Sequence, residues 1–240
     1  MNIKIDRGSQ ISEYEVPFEN ITLLEALNYI KTKLDATLTY SAGCRSGVCG
    51  SCAVRVNGTE QLSCSYKLDD GDSISALKNA PIIRDLVVDR EKMLSFNVVA
   101  KAWSSDNSKN ISISEEKAEV NEIQSDCILC GSCYSACPVY AVNEDFIGPF
   151  ALTRSWRYVS DAREEDVQQK IESIQTNGIW DCTLCNECVP VCPQGIAPKQ
   201  DISMLRSRSG ILGFMDPSFG GGMDFGGGFD GTPNFGTPSF

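Results

Sequence analysis

Apolar and polar residues alternate at period two over Asn2-Ile3-Lys4-Ile5-Asp6 and again over Ser12-Glu13-Tyr14-Glu15-Val16. That spacing puts every second side chain on one face of a strand. Gly8-Ser9-Gln10 lies between the two runs, so residues 2–18 predict a hairpin. The period then changes. Thr22-Leu23-Leu24-Glu25 spells a capping box, in which the hydroxyl and the carboxylate each satisfy an amide that the helix leaves open. Leu23, Leu24, Ala26, Leu27 and Ile30 form a helical stripe, predicting a helix to about Leu34. Ala53-Val54-Arg55-Val56-Asn57-Gly58-Thr59-Glu60 reads as a strand running into an Asn-Gly turn, and Asp70-Gly71-Asp72 as a further turn.

Between about Ala102 and Gln124 the composition turns polar, rich in Ser, Asn, Lys and Glu, which predicts a domain junction. Beyond it the period is helical: Ala151 to Val159, then Glu164 to Ile174 with Val167, Ile171 and Ile174 on one face. Asn177-Gly178 predicts the stop. From Gly210 to Phe240 the chain holds ten of its 20 glycines and six of its 10 phenylalanines, without Lys or Arg. Such a segment is either an unfolded tail, because glycine loses much entropy on ordering, or a set of anchors (Phe214, Phe219, Phe225, Phe229, Phe235 and Phe240) that dock on a partner. The expected organisation is residues 1–102, residues 103–213 and a Gly/Phe-rich tail at 214–240.

Charge and composition narrow the function. A net charge of −11 over 240 residues argues against nucleic acid, whose phosphates need a basic surface. Histidine is absent, which removes the commonest general acid–base group. No run reaches the ~20 apolar residues of a membrane helix, and the N-terminal strand lacks the apolar core of a signal peptide. Catalysis by this chain alone is therefore not expected.

The twelve cysteines change the picture most. Cys127-x2-Cys130-x2-Cys133-x3-Cys137-Pro138 is written again as Cys182-x2-Cys185-x2-Cys188-x3-Cys192-Pro193, the ligand run of a two-cluster ferredoxin. Cys44-x4-Cys49-x2-Cys52 with a later Cys64 is the plant-type [2Fe–2S] spacing. Gly43, Gly47 and Gly50 let that loop bend with its amides towards the sulfurs. A disulfide scaffold suits small secreted domains, not tight C-x-x-C clusters. Structural zinc suits paired C-x-x-C motifs, but explains neither the third cysteine nor the doubled Cys-Pro ending. In two-cluster ferredoxins the fourth cysteine of each run ligates the other cluster. The expected ligand sets are Cys44, Cys49, Cys52 and Cys64 for a [2Fe–2S] cluster; Cys127, Cys130, Cys133 and Cys192 for one [4Fe–4S] cluster; and Cys137, Cys182, Cys185 and Cys188 for a second. The fold expected is α+β, an N-terminal β-grasp plant-type [2Fe–2S] ferredoxin domain followed by a C-terminal all-α two-cluster ferredoxin-like domain.

These blocks resemble the iron–sulfur subunits of succinate dehydrogenase and fumarate reductase. The likeness lies in Cys44-Arg45-Ser46-Gly47-Val48-Cys49-Gly50-Ser51-Cys52, in the run from Cys127 to Pro138, in Asp145-Phe146-Ile147-Gly148-Pro149 and in Val191-Cys192-Pro193-Gln194-Gly195-Ile196, and covers roughly residues 1–208. The resemblance implies a relay between a flavoprotein subunit, which carries FAD and binds succinate or fumarate, and a quinone-linked membrane anchor. It implies a peripheral membrane complex, on the cytoplasmic face or, by co-export with a partner, the periplasmic one. The chain departs from the family's usual pattern in three ways. Cys185 stands where the family leaves a corner vacant for a three-iron cluster, Ala141 and Val142 where a tryptophan follows the first Cys-Pro, and Thr183 where a histidine follows the first cysteine of the last block. A complete second run also resembles the electron carriers of heterodisulfide reductases. The combination resembles the variant enzymes, methylmenaquinol:fumarate and thiol:fumarate reductases among them, whose anchor is replaced by a heterodisulfide-reductase-like cysteine-rich subunit. The alternatives are the electron-carrying subunit of a thiol- or heterodisulfide-linked reductase and a free-standing ferredoxin-like carrier.

Overall fold

The computed structural model describes residues 1–219, so the expectations at Phe225, Phe229, Phe235 and Phe240 lie outside the described residues. The hairpin forms from β1 (Asn2–Asp6) and β2 (Ile11–Glu15), antiparallel, with Ile3 opposite Tyr14 and Ile5 opposite Ser12. Helix α1 (Leu23–Tyr29) carries the capping box: the Glu25 amide donates to Thr22 Oγ1 at 3.3 Å, and the Thr22 amide to Glu25 Oε2 at 2.7 Å. Its last turn, Ile30–Leu34, widens into a π-helix. β3 (Ala53–Val56) and β4 (Thr59–Leu62) pair across the Asn57-Gly58 turn, and β5 (Ser73–Ser75) completes a five-stranded mixed sheet of order β2-β1-β5-β3-β4, with β1 and β5 parallel. Ile3, Ile5, Leu23, Leu27, Ile30 and Ile74 are fully buried between this sheet and α1. Each such side chain stabilises by about 1.5–3 kcal/mol relative to exposure.

A small hairpin, β6 (Ile82–Arg84) with β7 (Val87–Val88), leads into α2 (Glu91–Val99). The second half contains α3 (Glu115–Glu119), α4 (Glu122–Ser125), α5 (Ser132–Ala136), a 3₁₀ turn (Pro138–Ala141), α6 (Pro149–Val159), α7 (Val167–Ser173) and α8 (Pro198–Ile211). Its core gathers Phe146, Phe150, Leu152, Ile171, Ile202 and Leu205, and α2 adds Met93 and Phe96 to it. The sequence pattern starts α7 at Glu164; the structure starts it at Val167. Glu164 instead folds inwards, 3.4 Å from the Lys170 ammonium, and accepts from the Ser105 amide. Phe214, the first residue of the expected tail, packs partly buried against the helical core.

The two halves are sewn together through α5. Asn79 Nδ2 donates to the carbonyls of Tyr134, Ser135 and Cys137, which lie at the end of that helix. Ser135 Oγ donates to the buried Glu60 on β4 and accepts from the Lys78 amide. Among the described residues, no helix is long and apolar enough to cross a membrane.

Candidate functional site

The first cysteine loop has no regular structure of its own; its shape follows from amides that converge on sulfur. Cys44 Sγ accepts from the amides of Ser46 (3.4 Å), Val48 (3.3 Å) and Cys49 (3.3 Å). Cys64 Sγ accepts from Gly47, and Cys49 Sγ from the Cys44 amide. Those donors favour the thiolate: the Ser46 amide and its neighbours lower the Cys44 thiol to about 6. Cys49 is lowered chiefly by the Ser51 hydroxyl, 3.1 Å away. Cys52 sits deeper, and burial pushes it up to about 11. Its sulfur is 3.5 Å from that of Cys64, close to the edge, roughly 3.8 Å, of a tetrahedron of sulfurs around one metal atom with ~2.3 Å bonds.

The doubled motif in the helical half is also a doubled backbone. Leu129 (φ 52°) and Leu184 (φ 55°) are left-handed at the same place in each run, as are Gly131 (φ 84°) and Asn186 (φ 78°) two residues later. The turn aims an amide back at the first sulfur of each run: Leu129 at Cys127, and Leu184 at Cys182 at 3.4 Å. The fourth cysteines repeat as well, Cys137 receiving the amides of Val139 and Tyr140, and Cys192 those of Gln194, Gly195 and Ile196. The first turn of α8 directs the Lys199 amide at Cys188.

The sulfurs group across the two runs. Cys127 lies among Cys130 and Cys192, and Cys133 feels the charges of all three. Cys137 lies among Cys182 and Cys185, and Cys188 among Cys182 and Cys137. Burial raises the thiols of Cys127, Cys182 and Cys192, that of Cys137 to about 11, that of Cys188 to about 12, and that of Cys133 well above the ordinary range. Cys127, Cys130, Cys133 and Cys192 line one cavity together with Ile128, Phe150, Thr153 and Ile196. Among the described residues, no three His, Cys, Asp or Glu side chains close round a single metal ion. Four sulfurs, amides aimed at them and apolar walls fit a polynuclear iron–sulfur group.

The cages form a line. Gly50, at φ 69°, packs on Cys130 so closely that a Cβ there would sit 2.7 Å from the Cys130 Cβ. Cys52, Cys130 and the partly buried Cys64 share one small apolar cluster. Gln194 Nε2, two residues after Cys192, donates to the Gly47 carbonyl at 3.3 Å. Cys133 is near enough to Cys188 to feel its charge. Exposed cysteines stand at the ends of this line, Cys44 and Cys49 on one side and Cys185 on the other, while Cys52, Cys130, Cys137 and Cys188 are buried. The serines at 51 and 132 and the arginines at 90, 154 and 206 also serve these cages, and the sequence reading did not single them out. No local motif marks the arginines, since each reaches its cage from a distant element.

A model of a 2Fe-2S iron-sulfur cluster binding domain matches residues 2–95, and one of a 4Fe-4S dicluster domain matches residues 123–196. The fumarate reductase iron-sulfur subunit of Escherichia coli O157:H7 is 36% identical over 219 residues, covering 87% of this chain and 89% of its own. The chain belongs to the fumarate reductase and succinate dehydrogenase iron–sulfur subunits. The succinate dehydrogenase member from Paracoccus denitrificans is 31% identical over 195 residues, covering 77% of this chain and 74% of its own. The 8-methylmenaquinol:fumarate reductase iron-sulfur subunit of Wolinella succinogenes is 37% identical over 231 residues, covering 86% of this chain and 72% of its own. A chain of the Mycobacterium smegmatis Sdh1 complex in the apo form shares the fold at a TM-score of 0.78 and 21% identity, covering 88% of this chain and 95% of that one. As an iron–sulfur subunit of this family, the chain is part of an oxidoreductase and carries [2Fe–2S] and [4Fe–4S] clusters.

Proposed function

We propose that this subunit relays electrons through three clusters held by the cysteines as grouped above: Cys44, Cys49, Cys52 and Cys64 for the [2Fe–2S] cluster, Cys127, Cys130, Cys133 and Cys192 for the first [4Fe–4S] cluster, and Cys137, Cys182, Cys185 and Cys188 for the second. When bound, each cluster takes up or gives up one electron without exchanging atoms. Residues 1–102 form the first domain and residues 103–213 the second. The sheet with one helix laid across it supports the β-grasp reading of the first domain, and the doubled loop supports the two-cluster reading of the second. The observation that carries the proposal is the line of cysteines, with buried residues between exposed ones at both ends. The exposed Cys44 and Cys49 face a flavoprotein subunit that holds FAD and oxidises succinate or reduces fumarate.

The other end favours a heterodisulfide-reductase-like cysteine-rich subunit over a direct quinone pocket. Cys185 and Thr183 are exposed there, and Val142 is 88% exposed where the family places its tryptophan. The subunit then works in a peripheral membrane complex at the cytoplasmic face, or at the periplasmic face if a partner exports it. Succinate added to the purified complex should reduce the clusters, seen as electron paramagnetic resonance (EPR) signals, and should reduce a dye acceptor. A complex whose clusters accept electrons from dithionite but never from succinate would refute the reading in favour of a thiol-linked reductase.

A further inference from the structure

One cation stands where the first two cages meet. Arg90, just ahead of α2, is half-buried, and its Nη1 and Nη2 each lie 3.4 Å from the Gly50 carbonyl, with Nη2 3.5 Å from that of Ser51. These are long contacts for hydrogen bonds, so the carbonyls guide the guanidinium more than they bind it. Burial works against its charge, and the charges of Cys130, Cys52 and Cys49 work for it. Two of those sulfurs belong to the first cage and one to the second. Among the described residues Arg90 forms no ion pair, whereas Arg7, Arg55 and Arg163 each do. The adjacent Asp89 is turned aside, its Oδ1 accepting from the Glu91 amide at 2.8 Å.

The other arginines near the cages do different work. Arg206 straps Ile179, Trp180 and Cys182 by their carbonyls and stacks on the Trp180 ring, so its fork is used up in structure. Arg154 is felt by Cys127, in one cage only. Arg90 alone among them serves two cages.

We propose that Arg90 is a positioning residue for electron passage, a fixed cation that holds the reduced state of both the [2Fe–2S] cluster and the neighbouring [4Fe–4S] cluster within reach of the donor. The proposal rests on the ligand sets given above. Each reduction adds one electron, supplied by a reduced flavin or by dithionite, and makes or breaks no bond. Four thiolates already make each cage anionic, so a further electron is repelled by its own cage and by its neighbour's. A positive charge between them offsets both repulsions, and more strongly where water is excluded.

The test is an EPR-monitored redox titration of the cluster-loaded protein. Arg90→Gln should make the [2Fe–2S] and first [4Fe–4S] clusters each about tenfold harder to reduce, which is about 59 mV for one electron. The second [4Fe–4S] cluster should stay within about twofold, and Arg90→Lys should keep wild-type potentials because it keeps the charge. A fully loaded Gln variant with unchanged potentials, or with all three shifted alike, would overturn the proposal. If the Gln variant does not load, the Lys variant decides: full iron content with wild-type potentials supports a role for the charge, and loss of clusters there too assigns Arg90 to folding alone. A wild-type protein without a [2Fe–2S] signal would instead refute the ligand assignment beneath the proposal.

Discussion

Asp201 offers the most quantitative test of how the helical half is held around its cavity. It lies on α8, only 3% exposed, with Oδ1 accepting from Gln124 Nε2 of α4 and Oδ2 from the Thr153 hydroxyl of α6, each at 2.8 Å. Thr153 also lines the cavity of Cys127, Cys130, Cys133 and Cys192. Burial outweighs those two hydrogen bonds and raises the carboxyl to about 6 from 3.8. An anionic cluster next door pushes in the same direction. Because the folded pKa lies above the unfolded one, the associated stability is fully present below about pH 4 and is lost as pH rises through about 6. Two units correspond to about 3 kcal/mol.

Asp201→Asn mimics the protonated carboxyl at every pH. Its carbonyl can accept from Thr153, and the Gln124 Oε1, which has no partner, can turn to accept from the new amide. The variant should gain about 3 kcal/mol at pH 7 and about half of that at pH 5. For a chain of this size the larger figure is a rise of about 6–12 °C in melting temperature. Unfolding that releases clusters is irreversible, so wild type and variant are compared at a single scan rate, anaerobically, across pH 5–7. A variant no more stable than wild type at pH 7, or a difference that does not change with pH, would refute the buried-charge argument.

Other perturbations probe the line of cages directly. Gly50→Ala places a methyl group against Cys130 backbone and side chain at a positive φ; it should lower stability by ~1–3 kcal/mol and separate the first two cages, read as slower electron exchange between them after rapid reduction. Cys185→Ala should convert the second [4Fe–4S] cluster into a three-iron form, visible by EPR in the oxidised protein; a wild-type protein already showing that signal at full occupancy would exclude Cys185 as a ligand. Asn79→Ala removes three hydrogen bonds to the end of α5; a cost of roughly 1–3 kcal/mol, measured by thermal unfolding, should come with earlier loss of the clusters on heating.

What the chain determines by itself is whatever depends on neighbours a few residues apart. The hairpin follows from the alternation of Ile3 and Ile5 with polar residues, α1 from the Thr22–Glu25 box, and the two matching loops from cysteine spacings whose left-handed residues, Leu129 and Leu184, repeat with them. Composition likewise marked the chain as a carrier, since a protein without histidine and with twelve cysteines has little else with which to do chemistry. Tertiary structure decided the rest. Met93 and Phe96, from the first half of the chain, are claimed by the helical core, because those two buried side chains of α2 pack with α6 and its neighbours. Glu164 leaves its expected helix because a buried Lys170 needs a counter-charge more than α7 needs another turn. The contact of Gly50 with Cys130, the approach of Arg90 to the Gly50 and Ser51 carbonyls and the burial of Asp201 join residues tens of positions apart, and no local period records them. Backbone spacing can choose which cysteines stand together in a loop, but only packing sets the distances and the dielectric between the loops.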